Sequence, residues 1–568
     1  MYEKIKGLSL AEQVEVLTRT LVTHASINGT EGETRIADEI KKWLLSFPYF
    51  KAHPELVWEQ VLPHDPLGRK NIFALVKGKP GLNQTVIYHS HLDTVGIEDF
   101  GALKDHAFDP DYLETFFKAY SADPRVQQDA LSGDYLFGRG SVDMKSGIAV
   151  HLANILRFSQ NPEELNGNLL LMINPVEENQ HTGIIEAIKE LKRLKEEEGL
   201  SFVLAINNDF TSSLYDQDPH YYIYTGAVGK LLPCFYISGR EAHVGETLTG
   251  VDPTLIASEI NRRINNNMDL AEEIEGELIL PPSCLYLRDQ KDFYNVQTAG
   301  RAYLYFNLFL YRSTPETVLN KLKLLAVRAC QETTQYLQNQ YQAFIKRTGY
   351  LHSRLSWDIK VYTYEEYVRY LKEKGIEADK IAKQVVKENK QMESRQLCFK
   401  IMEALEQKEP DRHPKVILFF APPYCPHNYL DESVDQDRRK LEVLQQVAKK
   451  VGEECKLSFM IKHFFPYLSD SSYLSLHETD EELQALVHNF PQWEDIYPLP
   501  FQDMRKLDIP SINMGVYGHD AHQWTERVYK PYSFSVLPQL IKETTLAILN
   551  LNETGKEHQN DTNQINTV

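Results

Sequence analysis

The sequence predicts an α/β fold: a mostly parallel sheet covered by helices, with an inserted α+β domain and an added helical segment. Apolar runs at 85–88, 168–173 and 202–206 alternate with helical patterns, as expected for parallel strands that are buried on both faces. A β-α-β-β-α-β succession follows between 226 and 364, which is the order of a ferredoxin-like domain. A charged helical stretch then runs from 365 to 412.

The inserted and added segments divide the chain into five parts. Within the insertion, the patterns predict a strand at 230–238, a helix at 253–268, strands at 278–287 and 302–310, a helix that starts at 315, and a strand at 357–364. Apolar runs resume at 416–421, 457–461 and 509–516, and an amphipathic helix follows at 536–551. The predicted parts are the first portion of the larger domain at 1–225, the inserted domain at 226–364, a helical insertion at 365–412, the second portion of the larger domain at 413–552, and a disordered tail at 553–568.

A helix that starts near Met144 is expected to cover the sheet. Its apolar residues recur at the spacing of one helix face: Met144, Ile148, Leu152, Ile155 and Leu156. This pattern supports an α/β layer in the first half of the chain.

Composition predicts an ordinary soluble protein and excludes some partners. With 80 acidic and 61 basic residues, the net charge of −19 would repel nucleic acid and anionic membrane surfaces. An acidic surface also keeps an abundant protein soluble, so the charge does not select a substrate. The six cysteines have no C-x-x-C spacing and are expected to be reduced and structural. The N-terminal sequence has no apolar stretch of signal or membrane-span length, and the expected location is the cytoplasm.

Polar residues follow the first predicted strand. His91 and Asp93 are two residues apart and therefore lie on the same face at the strand's carboxyl end. There Asp93 can hold one ring nitrogen of His91 while the other nitrogen binds a metal. His89 lies on the same face and competes for this role. Taken alone, such a pair is more often structural.

Asp143 ends a glycine-punctuated loop at the start of the predicted helix. Its two carboxylate oxygens can bridge two cations that are about 3.5–4 Å apart. On local evidence, helix capping is an equal alternative, because a carboxylate in that position accepts backbone N–H groups.

Three more carboxylates and a histidine follow later strands. Because adjacent side chains diverge, one of Glu177 and Glu178 is expected to bind metal and the other to act as a general base. Without this context an acidic pair on a loop is usually only solvated. Asp209 follows the next apolar strand, and His522 follows the last one, with His519 as its alternative. Since ligands at the carboxyl ends of parallel strands meet at one edge, and imidazole with carboxylate suits Zn, Mn or Co, the sequence predicts a two-metal hydrolytic site.

The order of these motifs resembles that of one metallohydrolase family, which includes aminoacylases, acetylornithine deacetylases, carboxypeptidase G and dipeptidase V. That order is H-x-D, GRGxxD, a Glu pair, a lone Asp and a C-terminal His. Further segments are similar to motifs of the family: Gly239-Arg240-Glu241-Ala242-His243, Asn295-Val296, Ser469-Asp470 and His522-Gln523-Trp524-Thr525-Glu526. The similarity covers roughly residues 10–360 and 455–550.

The resemblance implies two divalent metal ions, zinc in the first place and manganese or cobalt as alternatives, in ligand sets that share one carboxylate. The implied sets are His91, Asp143 and Asp209 for one metal, and Asp143, Glu178 and His522 for the other. Glu177 would be the general base and Asp93 would orient His91. The peptide between Asp143 and Met144 would be cis, as it often is in the family.

The resemblance also assigns roles to the inserted domain. It would be a lid or dimerisation domain, which leaves a homodimer through the lid open. His243 would stabilise an oxyanion and contact substrate, and Arg240 and Asn295 would contribute to substrate binding. One departure concerns Asn307-Leu308-Phe309, which stands where the family commonly has D-x-R. Recognition of a substrate carboxylate would then need Arg301 or Arg312.

Two smaller departures lie near the implied ligands. Asp209 replaces a commoner Glu, and residues 179–183 replace a run of small residues.

The implied activity is hydrolysis of an amide bond in a small acylated amino acid or short peptide. The helical segment 365–412 and the strand 416–420 are similar to an arginine-utilisation subgroup, which implies a place in arginine catabolism. The alternative is a binding or regulatory protein that keeps the fold and metals without turnover, although a pure binder would not need Glu177. A phosphoester hydrolase would fit the metals but not the motifs, which contain no Arg/Lys clamp.

Overall fold

The computed structural model of the protein describes residues 1–350, 355–467 and 469–551. In this part of the chain the strands are β1 (Val57–Val61), β2 (Lys70–Lys77), β3 (Gln84–His91), β4 (Tyr135–Phe137), β5 (Asn168–Asn174), β6 (Ser201–Asn207), β7 (His220–Tyr224), β8 (Gly226–Ala227), β9 (Gly229–Ser238), β10 (Glu273–Ile274), β11 (Glu277–Leu278), β12 (Ser283–Asp289), β13 (Arg301–Leu310), β14 (Lys360–Thr363), β15 (Lys415–Cys425), β16 (Asn428–Tyr429), β17 (Ser458–Lys462), β18 (Ser511–Asn513), β19 (Gly518–His519) and β20 (Arg527–Tyr529). The predicted tail at 553–568 lies outside the described residues.

Helices connect and cover these strands. In chain order, the α-helices of the described residues are α1 (Tyr2–Ile5), α2 (Leu10–Val22), α3 (Gly32–Ser46), α4 (Pro48–Ala52), α5 (Pro110–Ala119), α6 (Pro124–Ser132), α7 (Ser146–Gln160), α8 (Thr182–Glu197), α9 (Pro253–Ile264), α10 (Pro315–Thr348), α11 (Tyr364–Glu373), α12 (Ala378–Glu388), α13 (Ser394–Lys408), α14 (Asp435–Cys455), α15 (Asp480–His488), α16 (Trp493–Ile496), α17 (Phe501–Leu507) and α18 (Leu537–Asn550). None of these helices combines the length and the apolar composition needed to cross a membrane.

The chain divides into two units. The first unit comprises the described residues of Met1–Val228, His427–Leu476 and Pro500–Val568. The second unit comprises those of Gly229–Pro426 and His477–Leu499.

The first unit is built on an eight-stranded sheet with the order β1-β2-β5-β3-β6-β18-β7-β17. The three predicted apolar runs form β3, β5 and β6, which are adjacent and parallel in its centre. All seven residues of β5 are buried, because the strand is covered on both faces. The β18–β6 and β17–β7 pairings are also parallel, whereas β1, β2 and the β18–β7 contact add antiparallel pairings. The predicted α/β class is confirmed, and the carboxyl ends of β3, β5, β6 and β18 point to one edge.

Helix α7 is more deeply buried than its sequence pattern predicts. The pattern indicates one apolar face, but every residue of α7 except Arg157 and Gln160 is buried. The reason is that α7 packs against β3 and β5 on one side and against α2 and α18 on others. Its first turn approaches the end of β6 closely, since a Cβ on Gly147 would lie 2.7 Å from Asn208 Oδ1.

The second unit contains a five-stranded sheet with the order β12-β13-β9-β15-β14. Helix α9 packs against β12 and β13, and the 34-residue helix α10 packs against α9. Helix α13 covers the sheet face that presents Tyr236 and Tyr303, which donate hydrogen bonds to Glu406 and Glu403 of that helix. The charged segment 365–412 is therefore a cover for this sheet.

Strand β15 corrects a predicted boundary. The sequence prediction placed the apolar run 416–421 in the second portion of the larger domain, at 413–552. In the structure β15 pairs with β9 and β14 and belongs to the second unit, as do residues 477–499. A strand that is buried on both faces has the same apolar pattern in either sheet, so its sequence does not specify its partners.

Candidate metal centre

Asp143 lies at the centre of a cluster of carboxylates and imidazoles in the first unit. It is carried by the turn Ser141–Lys145 before α7, and its peptide bond to Met144 is cis. Its Oδ1 lies 3.1 Å from Nε2 of His91, and its Oδ2 lies 3.0 Å from Nε2 of His522. The two oxygens thus face two different histidines, and the geometry does not resemble helix capping by the carboxylate.

Two groups of ligating atoms share Asp143. In each group the atoms lie within 4.8 Å of one another: His91, Asp143 and Asp209 form one group, and Asp143, Glu178 and His522 form the other. These are the sets that the motif resemblance implies. Their mixture of imidazole nitrogen and carboxylate oxygen fits borderline divalent ions such as Zn²⁺. The donors present therefore fit two ions that share one carboxylate.

The strand ends bring these ligands together. His91 is the last residue of β3, and Asp209 follows β6 by two residues. Gly515, just after β18, lets the chain pass Asp209, because a Cβ there would lie 1.8 Å from the Asp209 carbonyl oxygen. His522 lies on the loop after β19 with a φ of 64°, and 48% of its side chain is exposed.

The charges of the cluster shift the pKa values of its members. Burial and the neighbouring Asp143 raise the pKa of Asp209 to about 8. Burial and Asp143 likewise raise the pKa of Glu178. Burial opposes the charge on His522, yet hydrogen bonds to Asp143 and Glu178 outweigh it and raise the pKa of His522 to about 12. Negative charge thus dominates the cluster and favours the binding of a cation.

Asp93 holds the backbone of the loop that carries the two glutamates. Its carboxylate accepts the N–H groups of Glu177 and Glu178, at 3.1 and 3.0 Å, and the side-chain amide of Asn28 at 2.8 Å. Nδ1 of His91 lies 3.1 Å from the backbone oxygen of Asp93 and 3.7 Å from its carboxylate. Asp93 therefore both neighbours the His91 ring, as predicted, and directs Glu177 and Glu178, which the sequence pattern does not indicate.

Glu177 belongs to neither ligand group and is almost fully buried, with 7% exposed. Burial raises the pKa of its carboxyl well above the usual value, while the imidazoles of His91 and His181 act in the opposite direction. The divergence expected for two adjacent side chains is thus present, since Glu178 faces His522 whereas Glu177 lies beside His181 and Asp470.

The two alternative histidines lie outside these groups in the part of the chain that the structure describes. Nε2 of His89 is 2.8 Å from Oδ1 of Asn174, and burial lowers the pKa of this histidine to about 4. His519 is half-buried beside the ring of Tyr135, and burial lowers its pKa. Side-chain alternation alone does not separate His89 from His91, because both point to the same face.

The three predicted substrate-binding residues belong to the second unit. His243 is exposed, and its Nδ1 accepts the N–H of Gly245 at 3.1 Å. Arg240 donates to the carbonyls of Thr249 and Ser356. The side-chain amide of Asn295 lies 3.4 Å from Oε1 of Gln297. Their roles stay predictions from the motif resemblance.

The two arginines considered as substitutes for the missing D-x-R motif differ in their surroundings. Arg301 Nε donates to Glu406 Oε2 at 2.7 Å, so its charge already has a partner. Arg312 is exposed at the surface of the same unit.

Two supporting carboxylates have no role in the sequence prediction. Glu33 in α3 is buried and accepts the N–H of Val176 at 3.1 Å, just before the glutamate pair. Glu526, known from the sequence only as the end of a motif, accepts the N–H groups of Val142 and Asp143 at 3.1 and 3.2 Å. Its other oxygen pairs with the buried Arg139 at 2.7 Å. These carboxylates act on backbone N–H groups, for which no sequence pattern exists.

Comparison with known proteins decides the family. The model of peptidase family M20/M25/M40 matches residues 87–527. The chain belongs to this family. The family resemblance predicted from the motifs is confirmed, and membership makes the protein a hydrolase.

The M20 relatives include two proteins of Bacillus subtilis (strain 168). Protein RocB is 54% identical over 548 residues, which cover 96% of this chain and 97% of RocB. The uncharacterized protein YqjN is 34% identical over 548 residues, which cover 96% of this chain and 98% of YqjN. Among solved structures, the di-peptidase Dug1p from Saccharomyces cerevisiae matches with a TM-score of 0.50 at 11% identity, covering 95% of this chain and 98% of that one. The last likeness concerns the fold alone.

Proposed function

We propose that the protein is a dinuclear metal-dependent hydrolase that cleaves an amide bond in a small acylated amino acid or a short peptide. The observation that carries the proposal is the placement of Asp143 between His91 and His522, with one carboxylate oxygen toward each. A carboxylate in that position can bridge two cations. Membership of the M20 family supports hydrolysis over a binding role.

The proposed ligands are His91, Asp143 and Asp209 for one ion, and Asp143, Glu178 and His522 for the other. Zinc is the first choice for both, with manganese or cobalt as alternatives. When bound, divalent ions supply polarisation of a substrate carbonyl and a water molecule of lowered pKa. Asp93 would position the proposed ligands His91 and Glu178, because it contacts the His91 ring and accepts the N–H groups of Glu177 and Glu178.

Glu177 is the proposed general base. Its carboxylate would take a proton from the attacking water and pass it to the nitrogen of the leaving amine. Its burial supports this role, because a carboxyl group whose pKa is raised holds the proton between the two transfers. A base that is not itself a metal ligand leaves both of its oxygens available for this purpose.

A connection with arginine catabolism is the finer part of the proposal. It comes from the resemblance of residues 365–412 and 416–420 to an arginine-utilisation subgroup, and the 54% identity to Protein RocB supports that subgroup. The cysteine usage favours a cytoplasmic location. Of the family's lid functions, dimerisation and the role of His243 remain expectations.

The experiment is a joint measurement of metal content and hydrolysis on the full chain. The protein is stripped with a chelator, reloaded with Zn, Mn or Co, and assayed against N-acyl amino acids and dipeptides of arginine and ornithine. The same acyl groups on glutamate and leucine are the matched substrates. We expect near two ions per chain and faster turnover of the arginine or ornithine compounds.

Each other result overturns a different part of the proposal. If the protein binds two ions per chain but hydrolyses none of the substrates, the binding or regulatory alternative is favoured. Equal turnover of all side chains removes the arginine connection but keeps the hydrolase. A chain that retains no ion overturns the ligand sets.

A further inference from the structure

A buried histidine–aspartate pair lies beside the proposed base and has no part in the roles described above. Nδ1 of His181 is 2.6 Å from Oδ1 of Asp470, and the two side chains are only 1% and 2% exposed. One ligating atom from each of His181, Asp470 and Glu177 lies within 4.8 Å of the others. The pair therefore bounds the space next to the Glu177 carboxylate.

His181 also closes the loop that carries Glu177. It precedes α8 with a φ of 57°, and its N–H donates to the carbonyl of Val176 at 2.9 Å. The start of α8 is pressed against the end of the preceding strand segment, because a Cβ on Gly183 would lie 2.2 Å from the carbonyl oxygen of Pro175. With the N–H of Val176 bound by Glu33, the loop is fixed at both ends.

Asp470 is held independently of that loop. It begins the short helical turn Asp470–Leu474, and the preceding Ser469 Oγ accepts from the side-chain amide of Asn207 at 2.9 Å. The amide of Asn428 donates to the carbonyl of Ser471 at 3.1 Å. A hydrogen bond from His181 to Asp470 thus ties the glutamate loop to a separate, rigid part of the same unit.

We propose that His181 and Asp470 are positioning residues that hold the Glu177 carboxylate in the direction from which it exchanges its proton. The inference rests on the proposed role of Glu177 and extends it to two residues that belong to neither proposed ligand set. A carboxylate on a loop has several rotamers, and a base works only in the one that reaches the water molecule. The pair restricts the loop and fills the space into which Glu177 could otherwise turn.

The alternative to a positioning role is that Glu177, His181 and Asp470 bind a third cation. Glu177, His181 and Asp470 are all ligating types, and they are close enough to share an ion. His181 Nδ1 and Asp470 Oδ1 lie 2.6 Å apart, and His91 and Asp143 of a proposed ligand set lie 3.1 Å apart, so distance alone does not distinguish a hydrogen-bonded pair from two ligands of one ion. Metal content therefore separates the two cases.

The test compares substitutions of Asp470 in the metal-loaded full chain. Asp470→Ala removes the acceptor of His181, whereas Asp470→Asn keeps an oxygen in its place. We expect Asp470→Ala to lower kcat by about 10- to 100-fold, as is usual for loss of a supporting hydrogen bond, with KM and the content of near two ions unchanged. Asp470→Asn should recover most of kcat.

A second variant and a buried control guard against loss of folding. His181→Asn suits the left-handed backbone but is too short to reach Asp470, so it should reproduce the kcat loss. His151→Gln changes another fully buried histidine, which stacks on Tyr88 and belongs to none of the groups of ligating residues, and should leave kcat unchanged. Thermal unfolding of each variant checks that the fold persists.

An observation that does not depend on activity completes the design. A buried imidazole N–H so close to a carboxylate gives a low-field proton resonance, which should be present in the wild type and in His151→Gln and absent in Asp470→Ala. The inference is overturned by its absence in the wild type, by three ions per chain, or by unchanged kcat in both Asp470→Ala and His181→Asn. A wild type that hydrolyses nothing overturns the proposed function instead, even where the resonance is present.

Discussion

Buried charges occur in both units, but only one of the two networks is balanced. In the second unit Glu406 accepts from Tyr236 and from Arg301, at 2.5 and 2.7 Å. Fully buried Lys415 pairs with Glu409 at 2.9 Å. Two carboxylates thus meet two cations. The network joins α13 and the segment after it to the five-stranded sheet, and its charges leave nothing for a ligand to neutralise.

In the first unit, the carboxyl groups of the cluster around Asp143 outnumber its imidazoles. Five carboxyl groups converge with two imidazoles: Asp93, Asp143, Glu177, Glu178 and Asp209, with His91 and His522. Burial and the neighbouring Asp143 raise the pKa of Asp209 to about 8, so its ionised form is disfavoured there. The charges of a balanced buried network compensate one another, whereas an excess of buried carboxylates is compensated by bound protons or by a cation. The contrast between the two networks supports the proposed metal-binding role of the first cluster.

The strongest test of the unbalanced cluster is Glu177→Gln. Because Glu177 is in neither ligand set, the variant should keep near two ions per chain while turnover falls by about 10²- to 10⁴-fold, the contribution of a positioned general base. Metal analysis and steady-state kinetics measure both quantities. Glu163→Gln, at an exposed position, is the control and should match the wild type. Retention of turnover in Glu177→Gln would remove the proposed base.

The balanced network is broken by Lys415→Met. This substitution leaves the carboxylate of Glu409 buried without its cation, which costs about 3–5 kcal/mol of stability. Denaturant unfolding should show the loss, and metal content should not change. The double substitution Lys415→Met with Glu409→Gln should recover most of it. If the single variant is as stable as the wild type, the network has no structural role.

Metal affinity should depend steeply on pH, because the cluster binds protons when it holds no ion. Asp209, with a pKa of about 8, and His522, with a pKa of about 12, must lose protons before they can act as ligands. Affinity should therefore rise with pH, by about tenfold per unit for each proton released below pH 8. Calorimetric titration with Zn²⁺ between pH 6 and 8 measures it. A flat profile would contradict the ligand assignment.

The smallest effect concerns His151, a buried histidine outside both networks. Burial lowers its pKa to about 3, below the value near 6.5 of an unfolded chain. The stability it contributes is present above pH 6.5 and is lost as the pH falls toward 3, by about 1.4 kcal/mol at one unit below 6.5. Unfolding of His151→Gln should thus depend less on pH between 6.5 and 5.5 than that of the wild type. Parallel curves would contradict the shift.

Much of the first unit is predictable from local pattern. The runs at 85–88, 168–173 and 202–206 form β3, β5 and β6, because strands covered on both faces need continuous apolar residues. The same rule explains why the run 416–421 is predicted in the larger domain although it pairs with β9 of the second unit. An apolar run shows that a strand is buried, but it does not show which strand lies next to it. Pattern thus predicts that a strand exists more reliably than it predicts the sheet that contains it.

The sequence by itself determined the family and the α/β class, and it predicted the residue types of the candidate metal centre, because these depend on short motifs and on their order along the chain. The tertiary structure decided which histidines meet Asp143, and which carboxylates support the loops. Glu33, Glu526 and the His181–Asp470 pair illustrate the limit. Their partners are backbone N–H groups or residues far away in the chain, and only folding brings such groups within hydrogen-bond distance.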